Sequence, residues 1–145
     1  MHPAPFAYRV AHTVEEALEL LRTHEDAKIL SGGQSLVPAL KLRLTSPAML
    51  VDISRIPGLG GISRENGTLH IGATATHRQV EKSPVVKEAV PVLAAIGHQV
   101  ADIQVRHRGT FGGSLVHADP AADWPAGALA ADATLVIAGS HGRRE

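Results

Sequence analysis

Two glycine-rich segments carry the residue types best suited to binding a ligand. The first reads Gly32-Gly33-Gln34-Ser35, and the second reads Gly109-Thr110-Phe111-Gly112-Gly113-Ser114. Glycine lets backbone approach a ligand closely, and N–H groups at a helix start attract an anionic group such as a phosphate. Either segment alone is more typical of a tight turn. Two of them, each with Ser or Thr beside the glycines, favour the two phosphates of a dinucleotide.

Two further groups of residues admit a functional and a structural interpretation. His117, Asp119 and Asp123 are plausible metal ligands, but Asp119 precedes Pro120, a pair that often only starts a turn, and Asp123 could instead bind a ribose. The cluster from Arg106 to Arg108 could neutralise phosphate charge or could be a solvated face. No Gly-x-Gly-x-x-Gly or Walker A motif occurs, which disfavours a nicotinamide-type Rossmann domain.

Composition excludes several classes of function. The 145 residues contain 14 basic and 14 acidic side chains, and this neutral balance argues against a sequence-independent nucleic-acid partner. No cysteine is present, so this chain has no thiolate metal site, no iron–sulfur ligation and no cysteine nucleophile. No apolar run approaches a membrane span, and no secretory leader is recognisable, so we expect a cytoplasmic protein.

The elements expected around the first glycine segment form a βαβ unit. Thr13 and Glu16 are typical of a capping box that starts a helix. Residues 27–30 then fit a buried strand, residues 36–44 a short helix, and residues 49–53 a second buried strand. The pattern therefore places the first glycine segment between a strand and a helix.

The rest of the chain predicts a second subdomain, and the breaker cluster at residues 57–61 marks the joint between the two. Asn66-Gly67 between two apolar runs indicates a β-hairpin. Thr76 and Gln79 form a second capping box, and the apolar stretch 85–97 predicts a helix that is broken or kinked near Pro91. We place the subdomains at residues 1–57 and 58–145.

The end of the sequence reads as a strand over residues 134–138, a turn, and the start of a return strand at residues 143–145. A hairpin with one arm would leave an unpaired edge. The pattern therefore predicts a fragment of a longer polypeptide, truncated at its C-terminus, or a chain that needs a partner to finish its sheet.

Both glycine segments resemble the flavin loops of one family. Residues 31–38, Ser-Gly-Gly-Gln-Ser-Leu-Val-Pro, resemble the first loop of the FAD-binding subunit of molybdenum hydroxylases, such as the carbon monoxide dehydrogenase medium chain and the FAD part of xanthine dehydrogenase. Residues 108–115, followed by His-Ala-Asp-Pro-Ala-Ala-Asp at 117–123, resemble the second loop. Ser114 stands where this family often has Asn.

The resemblance implies a mixed α/β fold: a two-subdomain FAD-binding domain of the vanillyl-alcohol-oxidase (PCMH) type, incomplete at its C-terminal end. It implies a cofactor site and neither a catalytic residue nor a metal ligand in this chain. The implied FAD-binding residues are Gly32, Gly33, Gln34, Ser35, Leu36, Ala101, Gly109, Thr110, Gly112, Gly113, Ser114 and Asp123.

The same resemblance implies an oxidoreductase subunit that passes electrons from iron–sulfur clusters through FAD to an external acceptor. Its expected partners are a molybdopterin-containing large subunit, a [2Fe-2S] small subunit and the missing C-terminal part of its own subunit. Two alternatives remain open at this point. One is a truncated homologue that acts as a module without flavin, and the other is a metal-dependent hydrolase that uses His117, Asp119 and Asp123.

Overall fold

The N-terminal part of the chain is a three-stranded parallel sheet with two helices. In a computed structural model that describes residues 1–145, its elements are β1 (Ala7–Val10), α1 (Val14–Thr23), β2 (Ala27–Leu30), α2 (Leu36–Lys41) and β3 (Met49–Asp52). The strand order is β1-β3-β2, and both outer strands run parallel to β3. The expected βαβ unit is therefore present, and the first glycine segment lies at the carboxyl edge of the sheet.

Burial within this sheet follows strand position. The central strand β3 buries Met49, Leu50 and Val51, as the sequence predicts. The prediction that β2 is also buried was wrong, because Lys28 and Ile29 of this strand are exposed. β2 pairs on one side only, so its apolar run fills an edge position rather than a central one.

The middle of the chain begins with the predicted hairpin. β4 (Ile62–Glu65) and β5 (Thr68–Ile71) pair antiparallel around Asn66 and Gly67, whose φ angles are 50° and 84°. Positive φ at both turn positions is the geometry that Asn-Gly favours.

Six short helices follow, and a second hairpin ends the described chain. Thr76 and Gln79 form the expected capping box of the first of these helices. The second hairpin pairs β6 (Ile137–Gly139) with β7 (Gly142–Arg144), so its first strand starts later than the sequence predicts. The helices are α3 (His77–Lys82), α4 (Pro84–Ala89), α5 (Pro91–Gln99), α6 (Ile103–Arg108), α7 (Phe111–His117) and α8 (Asp123–Ala130).

Two separate clusters of buried side chains make up the core. One is centred on Val51 of β3, and the other contains Val80, Phe111 and Trp124 from three different helices. The proposed division after residue 57 stays a prediction, since Leu59 packs on the first cluster and Ile62 on the second. None of the helices is both long enough and apolar enough to cross a membrane.

Candidate functional site

The first glycine segment presents a row of free backbone donors. None of the N–H groups from Gly32 to Leu36 donates a hydrogen bond within the chain, although Gly33 and Ser35 both accept one through their carbonyls. Gly33 has a φ of +77°, a left-handed conformation that glycine adopts without strain. Unpaired N–H groups in such a turn, leading into α2, form a concave site for an anion.

The side chains of this segment leave the donor row open. Ser35 is the N-cap residue of α2, but its hydroxyl makes no capping bond and stays available to a ligand. A cleft of about 550 Å³ lies against the segment, and Gly33, Gln34, Val37 and Lys41 are among the residues that line it. This volume is in the range of small-molecule sites.

The second glycine segment uses most of its donors inside the protein. Phe111 and Gly112 donate to the carbonyls of Ala75 and Ala73, at 2.8 and 3.0 Å. Gly113 donates to Thr110 Oγ1 at 3.2 Å, and Ser114 to the Thr110 carbonyl at 3.1 Å. Residues 111–114 thus form the first turn of α7, capped by Thr110, instead of the open loop that the sequence indicates.

Close packing explains the glycines of this second segment. A Cβ atom on Gly112 would lie 2.7 Å from the backbone of Ala73, and one on Gly109 would lie 2.6 Å from His77 Nε2. A Cβ atom on Gly113 would lie 2.6 Å from Thr110 Oγ1. In this part of the molecule the absence of a side chain allows neighbouring elements to approach each other.

The two glycine segments touch each other along one seam. A Cβ atom on Gly32 would lie 2.1 Å from the Arg108 carbonyl oxygen and 2.7 Å from Gly109 Cα. Beside this contact, the hydroxyls of Ser31 and Thr110 are hydrogen-bonded at 2.9 Å. Segments 77 residues apart in sequence, Gly32 and Gly109, therefore form one surface. This seam, made by Ser31 and Gly32 against Arg108–Thr110, is the centre of the candidate site.

His77 packs against the Gly109 side of the seam. Its backbone N–H donates to the Gly109 carbonyl at 2.9 Å, and its ring lies under Gly109. Nδ1 of the ring accepts a hydrogen bond from Trp124 Nε1 at 2.9 Å, so the neutral ring carries its proton on Nε2. Burial lowers the pKa of His77 to about 4. Sequence reasoning missed this role, although the Thr76 capping box already placed His77 at a helix start.

The remaining predicted site residues lie outside the seam. Asp123 is exposed and is the first residue of α8, directly before the buried Trp124. Ala101 is exposed, lies between α5 and α6, and has a φ of 42°. Their assignment to the cofactor site stays a prediction.

The structure answers differently for the two other groups of residues, the possible metal ligands and the basic cluster. His117, Asp119 and Asp123 are not brought together, since no group of three or more His, Asp or Glu side chains could hold a metal ion. This overturns the hydrolase hypothesis, which required the three side chains to converge. In the basic cluster, Arg106 donates to two backbone carbonyls and His107 Nδ1 contacts the Ile103 carbonyl. Only Arg108 keeps its side chain free of such contacts.

A family model for the FAD binding domain in molybdopterin dehydrogenase matches residues 4–145. The chain is 44% identical, over its full length, to the 6-hydroxypseudooxynicotine dehydrogenase complex subunit alpha of Paenarthrobacter nicotinovorans, of which it covers 49%. It is also 44% identical to the carbon monoxide dehydrogenase medium chain of Hydrogenophaga pseudoflava, with 99% of this chain and 50% of that protein aligned. The chain thus spans about half the length of the curated relatives it matches.

A solved structure has the same fold. Carbon monoxide dehydrogenase from Hydrogenophaga pseudoflava, in a form that lacks the Mo-pyranopterin moiety of the molybdenum cofactor, superimposes with a TM-score of 0.98 and 45% sequence identity. The match covers 99% of this chain and 50% of that one.

Proposed function

Because the chain belongs to the family of FAD-binding domains of molybdopterin dehydrogenases, we propose that it is the FAD-binding part of an electron-transfer subunit in a molybdenum hydroxylase complex. The observation that carries the proposal is the row of free N–H groups from Gly32 to Leu36, of which Gly33 and Gln34 line a cleft. FAD contains a diphosphate, and a row of unpaired backbone donors is the kind of group that binds one. The residues present therefore fit this cofactor.

The proposal assigns separate tasks to the two glycine segments. In the first segment, the N–H groups of Gly32 to Leu36 and the Ser35 hydroxyl bind the diphosphate. In the second, Gly109, Thr110, Gly112, Gly113 and Ser114 shape the opposite wall of the seam, where the Thr110 N–H is free to donate. When bound, FAD supplies the redox chemistry, and the protein supplies its position and its electrostatic surroundings.

The proposal extends to partners and location. The named relatives are subunits or chains of dehydrogenases, so we propose that this protein works beside a molybdopterin-containing large subunit and a [2Fe-2S] small subunit and delivers electrons to an external acceptor. Val116 of α7 and Leu129 of α8 are 87% and 82% exposed, so both apolar side chains are available to a surface that packs on them. We expect a further part of the same subunit there. The absence of cysteine is compatible with the cytoplasm, where we place the complex.

Flavin retention tests the proposal directly. The purified chain, mixed with FAD and then desalted, should keep a visible flavin absorbance band, and a titration with ADP should give saturable binding. Gly33→Val should abolish both, because a branched side chain at φ +77° distorts the donor row. Gly61→Ala is the matched control, since a Cβ atom there has only the Gly58 carbonyl at 3.7 Å as a neighbour.

Two outcomes would contradict the proposal. A wild-type chain that binds neither FAD nor ADP would favour the alternative of a truncated homologue acting as a non-catalytic module without flavin. Binding that survives Gly33→Val would place the cofactor away from the first glycine segment.

A further inference from the structure

A buried carboxylate outside the seam collects an unusual number of cationic partners. Glu81 of α3 is 4% exposed and lies within 3.2 Å of side-chain nitrogens of Arg78, Lys82 and His98. Burial alone would raise the pKa of Glu81, but these hydrogen bonds outweigh it and lower the pKa to about 2. The carboxylate is thus a fixed negative charge between α3 and α5.

Arg106 of α6 is the most deeply buried cation facing this carboxylate. Its side chain is 13% exposed, and its Nε lies 3.8 Å from Glu81 Oε2. This Nε is the one buried side-chain nitrogen or oxygen without a hydrogen-bond partner. Its Nη1 donates to the carbonyls of Val100 and Ala101, at 3.0 and 2.8 Å. Arg106 therefore ties α6 both to α3 and to the connection that precedes α6.

That connection is conformationally demanding. α5 ends at Gln99 with Val100 as its C-cap residue, α6 begins after its N-cap residue Asp102, and Ala101 between the two caps has a φ of 42°. A left-handed Ala residue persists only where its surroundings hold it. The two hydrogen bonds from Arg106 to the carbonyls at 100 and 101 provide that restraint.

The position of α6 matters because its last residue forms one side of the seam. The Arg108 carbonyl oxygen lies only 2.1 Å from the position that a Cβ atom on Gly32 would occupy. Any shift of α6 would therefore change the contact between Arg108 and Gly32, the residue at which the row of free N–H groups begins. Gly97 of α5 lets the backbone of α5 approach Glu81 of α3, with a hypothetical Cβ atom only 3.2 Å from the Glu81 N. The two helices that surround the carboxylate are therefore closely packed.

We infer that Arg106, facing the buried carboxylate of Glu81, is a positioning residue for FAD binding, because it sets α6 and thereby the seam at Gly32. The inference rests on the proposed function and names a residue that does not itself contact the cofactor. It also gives Arg106 a different role from Arg108 in the basic cluster, since the guanidinium of Arg106 already donates hydrogen bonds within the protein.

Two arginine variants test the inference with matched chemistry. Arg106→Met and Arg78→Met each remove one cation beside Glu81, but only Arg106 also donates to residues 100 and 101. Both variants should lower the melting temperature. Arg106→Met should weaken FAD and ADP binding at least tenfold at a temperature where both variants are folded, whereas Arg78→Met should change it less than twofold. Arg106→Lys, which keeps one charged donor, should recover part of the loss.

The outcomes separate this inference from the proposed function. If the wild-type chain binds FAD and both methionine variants bind it equally well, the positioning role is overturned and the proposed function stands. If the wild-type chain binds neither FAD nor ADP, the proposed function fails and the inference fails with it. If Arg106→Met does not fold, Arg106→Lys decides. Unchanged affinity in that variant would overturn the inference, and an affinity loss beyond that of Arg78→Lys would support it.

Discussion

The segment from Gly32 to Leu36 and the segment from Gly109 to Ser114 have similar compositions, but they use their backbone donors in opposite ways. In the first, no N–H group has a partner within the chain. In the second, Thr110 alone keeps a free N–H, and the other donors bind carbonyls or the Thr110 hydroxyl. We infer that the first segment is free to receive a ligand, whereas most donors of the second are occupied within the fold.

The comparison shows that paired glycines can be required for two different physical reasons. Gly33 needs its missing side chain for a left-handed backbone, whereas Gly112 needs it because Ala73 lies in van der Waals contact. A substitution in the first segment should therefore act mainly on binding, and one in the second mainly on folding. Each prediction below probes that division.

The largest expected effect is on stability, from Gly112→Ala in the second segment. The new Cβ atom would lie 2.7 to 2.8 Å from Ala73 Cα, O and Cβ, and backbone atoms cannot move aside as a flexible side chain can. We expect the free energy of unfolding to fall by about 3 kcal/mol, at the upper end of the usual cost of overpacking. Urea denaturation of the variant and the wild type measures the difference.

Gly61→Ala serves as the control for a glycine without close neighbours. Its Cβ atom would meet only the Gly58 carbonyl at 3.7 Å, so the change should be neutral or slightly stabilising. If Gly112→Ala were as stable as Gly61→Ala, the packing explanation of the second segment would be wrong.

The next effect is a pH dependence that arises at His77 of α3, whose ring packs against Gly109 of the second segment. The pKa of His77 is lowered from 6.5 to about 4 in the folded protein by burial. As the pH falls below 6.5, the unfolded chain binds a proton that the folded chain does not, so the contribution of His77 to stability falls until the pH nears 4 and is then constant. We expect a loss of about 2 kcal/mol between pH 7 and pH 5.

His77→Gln removes this titration and keeps a polar side chain near Trp124. Its stability should change little between pH 7 and pH 5, although its absolute stability should be lower. Glu81 does not confuse the measurement, because its pKa, lowered from 4.5 to about 2, makes stability fall only in more acid solution. An unchanged pH profile in the variant would show that another group causes the acid sensitivity.

Local signals predicted much of the fold. Asn66-Gly67 specified its hairpin, and the capping residues Thr13 and Thr76 marked their helix starts, because each pattern acts between residues close in sequence. The burial of β2 was predicted wrongly, since whether an apolar strand lies at an edge or in the centre depends on which strands pair with it. That information is not local.

The same limit applies to the candidate site. The donors of Phe111 and Gly112 are occupied by Ala75 and Ala73, more than 30 residues earlier in the chain, so no local pattern shows that the second segment is closed. Likewise, Arg106 looks like a surface cation in a basic run until the fold brings Glu81 beside it. The position of the first segment between a strand and a helix was predicted correctly because that signal is local, whereas its binding of FAD stays a prediction.

The smallest expected loss of stability comes from the Ser31 hydroxyl at the seam, which is bonded to the Thr110 hydroxyl at 2.9 Å. Ser31→Ala removes one hydrogen bond between the segments and should cost about 1 kcal/mol of stability. Thr110→Val should cost more, about 2 kcal/mol, because Thr110 also caps α7 through the Gly113 N–H.

The double variant decides whether the two segments are coupled. If the hydroxyl pair joins them, the loss in the double variant should be smaller than the sum of the two single losses by about 0.5 to 1 kcal/mol. Strict additivity would mean that the segments are adjacent without depending on each other through this bond. Their common surface would then rest on the backbone contact of Gly32 with Arg108, which a side-chain deletion leaves intact.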